Sequence, residues 1–241
     1  MHKVKKSSEL LWVMGILFVS FGVAICSKAG LGVSMIAAPP FVIFDAVEKL
    51  WSGFSVGMIE YLVQGVLLIL MCLAVRRFDW KYLLSFAVAV IYGYSIDFAL
   101  WVLSDLSFDT VLMRWIMLIV GDTLTAFGVA CFFRTYMPLQ VYELFVAELS
   151  SRYKLNITRV KLFFDLALLV LSVTLALTLF DDKASFDWSK IYYQCYHNIG
   201  LGTIVTAFIN APIIAASGKL IDKIFEPTPL IGKLHSAIGI K

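Results

Sequence analysis

Glu60 and Gln64 lie four residues apart in an otherwise apolar stretch, so a helix there presents both on one face. Asp122 sits midway through another such stretch, in GDTLTAFG, beside Thr123 and Thr125. Asp165 lies about a third of the way along a further one, Asp97 closes YGYSID, and Asn210 precedes Ala211-Pro212. Glu143, with Gln140 and Tyr142, occupies a shorter apolar segment. Such side chains are costly inside hydrocarbon unless they pair, take up a proton, or face water, a ligand or an ion. Each also has a structural reading: a carboxylate paired with a buried cation or bonded to Ser or Thr, an Asn bonded between helices. The chemistry on offer is the binding of a proton, a cation or a polar solute. Bond-making chemistry lacks its residues. No GxxxxGK[ST], HExxH or GxSxG pattern occurs, and His2, His197 and His235 fall in terminal or loop segments. The four cysteines, Cys26, Cys72, Cys131 and Cys195, follow no metal spacing. The expectation is a protein that is not an enzyme, with no catalytic residue, metal site or cofactor.

Two basic residues complete the candidate set. FGVAICSK at 21–28 and FGVACFFR at 127–134 are copies 106 residues apart, each ending in a cation, Lys28 and Arg134. Gly15 and Gly121 obey the same offset; with Gly22 and Gly128 they read as close-packing positions between helices. Each copy closes an apolar run and is followed by a short loop and a shorter apolar segment. Two related halves mark transport-type membrane folds, whose site lies between the repeats. Lys28 and Arg134 read either as interfacial anchors that snorkel to head groups or as a pseudo-symmetric pair. In the second reading each cation stands just before a short segment whose helix N-terminus points into the membrane, which favours an anion. The halves are not chemically equivalent, because the counterpart of Glu143 is Ala37.

The elements that must position these residues are membrane spans. A chain that is 61% hydrophobic and 15% charged, with mean hydropathy +0.88, is no soluble domain. Its 15% aromatic content fits interfacial belts. Six runs, 9–27, 54–75, 81–103, 112–133, 157–180 and 199–217, approach the ~20 residues that cross a bilayer. The start, HKVKKSSE and a long apolar run with no cleavage site, reads as a first span and not as a removed signal. Two shorter runs, 33–47 and 138–149, read as re-entrant or half-membrane segments. The first contains Pro39-Pro40, which breaks a helix.

With six spans, fifteen basic residues share the side of the N-terminus, and five (Lys28, Lys49, Arg114, Lys183 and Lys190) face the other side. If both short runs crossed, the division would be thirteen to seven. The positive-inside rule favours six spans with both termini cytoplasmic. Three spans per half is an odd number, so the second half enters the membrane inverted. If the short segments do cross, the fold has eight spanning helices and parallel repeats. The net charge of +3 is spread over loops and points to no nucleic-acid partner.

Three stretches resemble the YczE/YitT-like bacterial integral membrane proteins. SKAGLGVSM (27–35) looks like the small-residue loop after their first span. PLQVYELFVAELSSRYKLNITRVKLFFDLALLVL (138–171) is similar to their second-repeat pattern, and GTIVTAFINAPII (202–214) to their last span. The acids of that pattern would be Glu143 and Asp165 here; the first short segment departs from it, carrying Pro39-Pro40 and no acid. The resemblance implies a bacterial inner-membrane protein and little about substrate.

These readings converge on an all-α polytopic membrane protein, one membrane domain over 1–241. It would comprise repeat 1 at 9–103, repeat 2 at 112–217 and a cytoplasmic tail at 218–241, each repeat holding three spans and one short re-entrant helix. The expected function is that of a small secondary transporter with a midplane site. Lys28, Glu60, Gln64, Asp122, Arg134, Gln140, Glu143, Asp165 and Asn210 would bind a small solute, anionic if the two cations take part, and a coupling proton or cation. The alternatives are a passive facilitator of aquaporin-like architecture and a non-transport subunit or assembly factor. The partners are the solute and the bilayer, with oligomerisation left open. The charge asymmetry makes one direct prediction. A cysteine placed at Asp79, in the basic link RRFDWK, should resist an impermeant thiol reagent added outside intact cells, compared with the unsubstituted chain. Labelling there would exclude the six-span topology.

Overall fold

A computed structural model describes residues 4–182 and 186–228. Eight helices account for most of it: α1 (Ser8–Ala29), α2 (Ala38–Glu48), α3 (Val56–Val75), α4 (Tyr82–Val102), α5 (Val111–Phe132), α6 (Val141–Tyr153), α7 (Ile157–Leu179) and α8 (Leu201–Ile224). Among the described residues, α1, α3, α4, α5, α7 and α8 are long and apolar enough to cross a membrane. The protein is membrane-embedded and helical. At one end two short strands, β1 (Val4–Ser7) and β2 (Phe225–Thr228), pair in parallel and bring the start of α1 beside the end of α8.

The span ends follow local chemistry. Ser7, Ser55 and Thr110 each accept a bond from a first-turn N–H of α1, α3 and α5, and Asn156 does so for α7. Gly30, at φ +66°, closes α1 in the left-handed conformation. The short helices have 11 and 13 residues, about 16 and 20 Å at 1.5 Å per residue, against ~30 Å of hydrocarbon. Neither crosses. Pro39-Pro40, expected to break a helix, instead occupies the first turn of α2, where a missing N–H costs nothing. α8 runs on to Ile224, through Pro212, so the first part of the expected 218–241 tail is helix. Lys3, Lys183, Lys233 and Lys241, which entered the charge asymmetry, lie outside the described residues. So do His2, His235 and the tail beyond Thr228.

Helices α1 and α5 form the tightest crossing. A methyl carbon added at Gly22 would lie 2.6 Å from the carbonyl oxygen of Gly121; one at Gly128 would lie 2.7 Å from that of Gly15. The helices therefore run antiparallel with backbones touching, as small residues permit within a bilayer. Exchanging each glycine for its partner 106 residues away turns one of these contacts into the other. Other contacts exchange likewise: α2 packs on α3 and α7, α6 on α7 and α3, and α4 lies on α1 as α8 lies on α5. The largest contact that does not follow is that of α3 with α4. α3 and α4 meet through Gly57 and Gly93, whereas α7 and α8 make no comparable packing. Phe163 stands 106 residues after Gly57 and is 71% exposed.

A side chain at Gly22 or Gly121 must push the crossing apart. Gly22→Leu and Gly121→Val should each destabilise the protein by about 1–3 kcal/mol, the usual cost of overpacking. The same substitution at Gly65, where an added carbon meets only the Phe86 ring at 3.1 Å or beyond, should be milder. Thermal unfolding in detergent, followed by the loss of monodisperse protein, provides the comparison.

Candidate functional site

Three elements bring Glu143 of the second short segment to Glu60 of the third helix. Trp12 of α1 donates from Nε1 to the carbonyl of Pro138 (3.0 Å) and holds the approach to α6. The backbone N–H of Val141, first in α6, donates to Gln64 Oε1 at 3.2 Å. Gln64 Nε2 in turn donates to Glu60 Oε1 at 3.1 Å. A helix N-terminus that would otherwise carry free N–H groups is thus docked onto the Glu60–Gln64 face of α3. Tyr142 and Tyr92 lie beside Glu60, and Glu143 is within electrostatic reach of it. Glu60 is 1% exposed, and Gln64, Gln140, Tyr142 and Glu143 are buried with it.

The cluster is sealed and unsatisfied. Gln140 Nε2 and Glu143 Oε2 are buried with no hydrogen-bond partner among the described residues, and Glu60 Oε2 and the Tyr142 hydroxyl, near enough to interact with each other, make no bond of normal geometry. Among the described residues no cation bonds to Glu60 or Glu143. Lys161 of α7 lies within electrostatic reach of Glu143 but is bonded to Asp165, at 3.3 Å, one turn on. Of the expected interior acids, Glu60, Glu143 and Asp165 form a row over α3, α6 and α7, each within electrostatic reach of the next, while Asp122 stands apart. A cavity of about 120 Å³ opens next to it, lined by Phe132, Phe133, Thr135, Tyr136, Met137, Leu139 and Leu144. Leu139 and Leu144 bracket Gln140 and Glu143 in the chain, yet none of the acids lines this space.

The remaining candidates lie elsewhere. Asp122 of α5 accepts at Oδ1 from Asn210 Nδ2 of α8 at 3.1 Å, a separate pair. Lys28 Nζ donates to the carbonyl of Ser104 (2.9 Å) at one end of the bundle. Arg134 forms a bidentate pair with Asp222 of α8, at 2.7 and 2.8 Å. Neither cation is joined to the acid row by a hydrogen bond or ion pair among the described residues. Asp97 caps α3: it accepts from Ser55 Oγ at 2.6 Å and from the N–H of Gly57 at 2.8 Å, a structural role.

One cluster carries no signal in the sequence. His197, expected only as a loop residue, stands between two carboxylates. Nδ1 faces Asp45 of α2 at 3.4 Å and Nε2 faces Asp182 at 3.2 Å. Its ring stacks on Phe180 with centroids 3.4 Å apart. His197 and Asn198 both have positive φ, 44° and 64°, in a two-residue turn closed by reciprocal bonds between Tyr196 and Ile199. The Asn198 amide also donates to Asp45, at 3.0 Å. The turn thereby ties the short helix α2 to the link between α7 and α8. Its partners are more than 150 residues apart in one direction, beyond any local pattern.

The fold and the row of interior acids define a membrane-embedded helical protein with a buried polar site among its spans. Within that class the chain belongs to the family of unknown function DUF6198, whose pattern it matches over residues 6–219. No curated protein and no solved structure matches it.

The outer turn makes a pH prediction. The Tyr196 hydroxyl, and after it His197, hold the Asp182 carboxyl below the usual carboxylate range. The native form thus binds this proton more weakly than the unfolded chain does. Its stabilisation is complete above the ordinary carboxylate range and is lost as the pH falls through the lowered value. Amide protection factors for residues 193–199 should drop on acidification through that window. In Asp182→Asn they should be low already at neutral pH and change little.

Proposed function

We propose that this protein is a small secondary transporter whose solute binds where α6 docks on α3, among Glu60, Gln64, Gln140, Tyr142 and Glu143. One observation carries the reading. Two fully buried carboxylates, with no bonded cation among the described residues, share one cluster in which Gln140 Nε2 and Glu143 Oε2 are left unsatisfied and Glu60 Oε2 has the Tyr142 hydroxyl near it without a bond of normal geometry. Such a site is expensive to keep in a membrane interior, and binding is the ordinary reason to keep it. The unsatisfied atoms include donors and acceptors. Acids rather than cations set the charge, which favours a proton, a cation or a solute rich in hydrogen-bond donors over an anion. Lys28 and Arg134, bonded to Ser104 and Asp222, then serve as end anchors.

The exchanged glycine contacts of α1 and α5, and the crossed packing of α2 on α7 and α6 on α3, support two inverted repeats. In this reading the sealed cluster is an occluded state, and the cavity beside Leu139 and Leu144 is the way in from one face. The likeness to YczE/YitT-like proteins and the basic asymmetry support a bacterial cytoplasmic membrane with both termini inside.

Reconstituted vesicles containing a pH-sensitive dye provide the test, with a panel of small cationic and neutral polar solutes applied outside. At least one solute should move protons and saturate. Glu143→Gln and Glu60→Gln, folded and present in equal amount, should lower that flux tenfold or more, since losing a charged hydrogen-bond partner costs about 1.5–3 kcal/mol. Wild-type rates in both amides would refute the site. Solute flux that never saturates would indicate a facilitator, and no flux together with a co-purifying protein would indicate a subunit.

A further inference from the structure

Asp122 and Asn210 face each other across the contact of α5 with α8, close to the middle of both helices. Asn210 Nδ2 donates to Asp122 Oδ1 at 3.1 Å. The two atoms left over, Asp122 Oδ2 and Asn210 Oδ1, are both buried and both without a partner among the described residues. As a carboxylate, Asp122 cannot use either of them, because both are acceptors. A single proton on Oδ2 changes this: the carboxyl O–H becomes a donor, and the amide oxygen is the acceptor left open beside it.

We propose that Asp122 and Asn210 form a neutral carboxylic acid–carboxamide ring that holds one proton at mid-membrane. In the ring, Nδ2–H of Asn210 donates to Oδ1 of Asp122, and Oδ2–H of Asp122 donates to Oδ1 of Asn210. Both open atoms are satisfied at once, and no net charge stays in hydrocarbon.

Among the described residues the surroundings offer the carboxyl no cation and no second donor. Asp122 is 1% exposed and forms no ion pair among the described residues. The titratable group that faces it from α1 is Cys26, whose sulfur would lie 2.8 Å from a carbon added at Gly121 and whose thiol points to the carbonyl of Leu118. A thiol supplies no positive charge. α8 contributes Asn210 and no charged group at this level. The neighbouring hydroxyls are committed to their own helices, Thr125 to the carbonyl of Gly121 and Thr206 to that of Thr203.

Release is built into the same contact. Pro212 follows Asn210 by two residues and cannot donate to the preceding turn, so α8 is weakest there. If α8 bends away from α5, the amide leaves, water enters, the O–H bond of Asp122 breaks and the proton passes to water. The carboxylate that remains is stable only while wet, so closure requires a proton again. On the transporter reading above, which this step presupposes for its use, the ring carries the coupling proton while Glu60 and Glu143 hold the solute.

Infrared spectroscopy on the full chain in lipid tests the ring without any solute. At neutral pH the unsubstituted protein should show the carbonyl stretch of a protonated carboxyl. Labelling aspartate carboxyls with carbon-13 should shift that band, which needs no substitution and so does not depend on a variant folding. Asp122→Asn should remove the band, and Asn210→Leu should move it to higher frequency, as expected for an acid that has lost its acceptor. A spectrum with no aspartic-acid band at neutral pH overturns the proposal, as does a band that Asp122→Asn leaves in place. A band that appears only when sodium is withdrawn overturns it too, in favour of a cation held by the two oxygens. Solute flux without the band would mean that the ring fails and the transporter reading stands. The band with its shift, and no flux for any solute, would mean that the ring stands and the transporter reading fails.

Discussion

In hydrocarbon a polar group has no water to bond to, and the arrangement of these eight helices follows where each such group finds a partner. Most find one locally. Ser20, Ser172 and Thr125 return their hydroxyls to carbonyls one turn back, and Asp97 is spent on the first turn of α3. Arg134 closes on Asp222 and pins the end of α5 to α8. Against this background the exceptions stand out, because all but Ser85 Oγ of α4 collect in two places. One lies between α3 and α6, around Glu60 and Glu143; the other between α5 and α8, at Asp122 and Asn210.

Those two places are set by the crossing of α1 and α5. Backbone contact at Gly15, Gly22, Gly121 and Gly128 brings the centres of the two halves together. Each short helix is then left to pack on the second span of its own half and on that of the other. A short helix held between halves ends inside the membrane, so its first-turn N–H groups need partners there. In α2 the problem is reduced by Pro39 and Pro40, which lack an N–H. In α6 it is met by Gln64, and that answer carries Gln140, Tyr142 and Glu143 to Glu60. The asymmetry of the two short segments is therefore chemical as well as sequential: one end is made apolar, the other is made a polar site.

The second asymmetry lies between α7 and α8. Gly57 and Gly93 let α3 and α4 touch, while the second half presents Phe163 at the matching offset and keeps its two outer spans apart. α8 is held mainly by α5 and by Arg134, and it carries Asn210 and Pro212. The helix with the fewest neighbours thus bears one of the two polar contacts, a placement suited to a contact that must open.

Much of this was legible in the sequence. The six spans fall within a few residues of their expected limits, except that α8 continues seven residues past 217. The short segments are short, and Glu60, Gln64, Asp122, Gln140 and Glu143 are interior as their apolar neighbours required. Hydropathy and helical spacing are local properties, and a bilayer reads them directly. Which interior groups meet was not legible. Nothing local says that Gln64 reaches Val141, that Asn210 reaches Asp122, or that Lys28 and Arg134 are bonded away from the acids. Nor does it say that His197 sits between Asp45 and Asp182. Those pairings depend on how close two backbones come and on which faces they then turn to each other. The sequence by itself determined what had to be buried in the membrane; the packing of glycine against glycine, a property of two distant segments at once, decided what it was buried against.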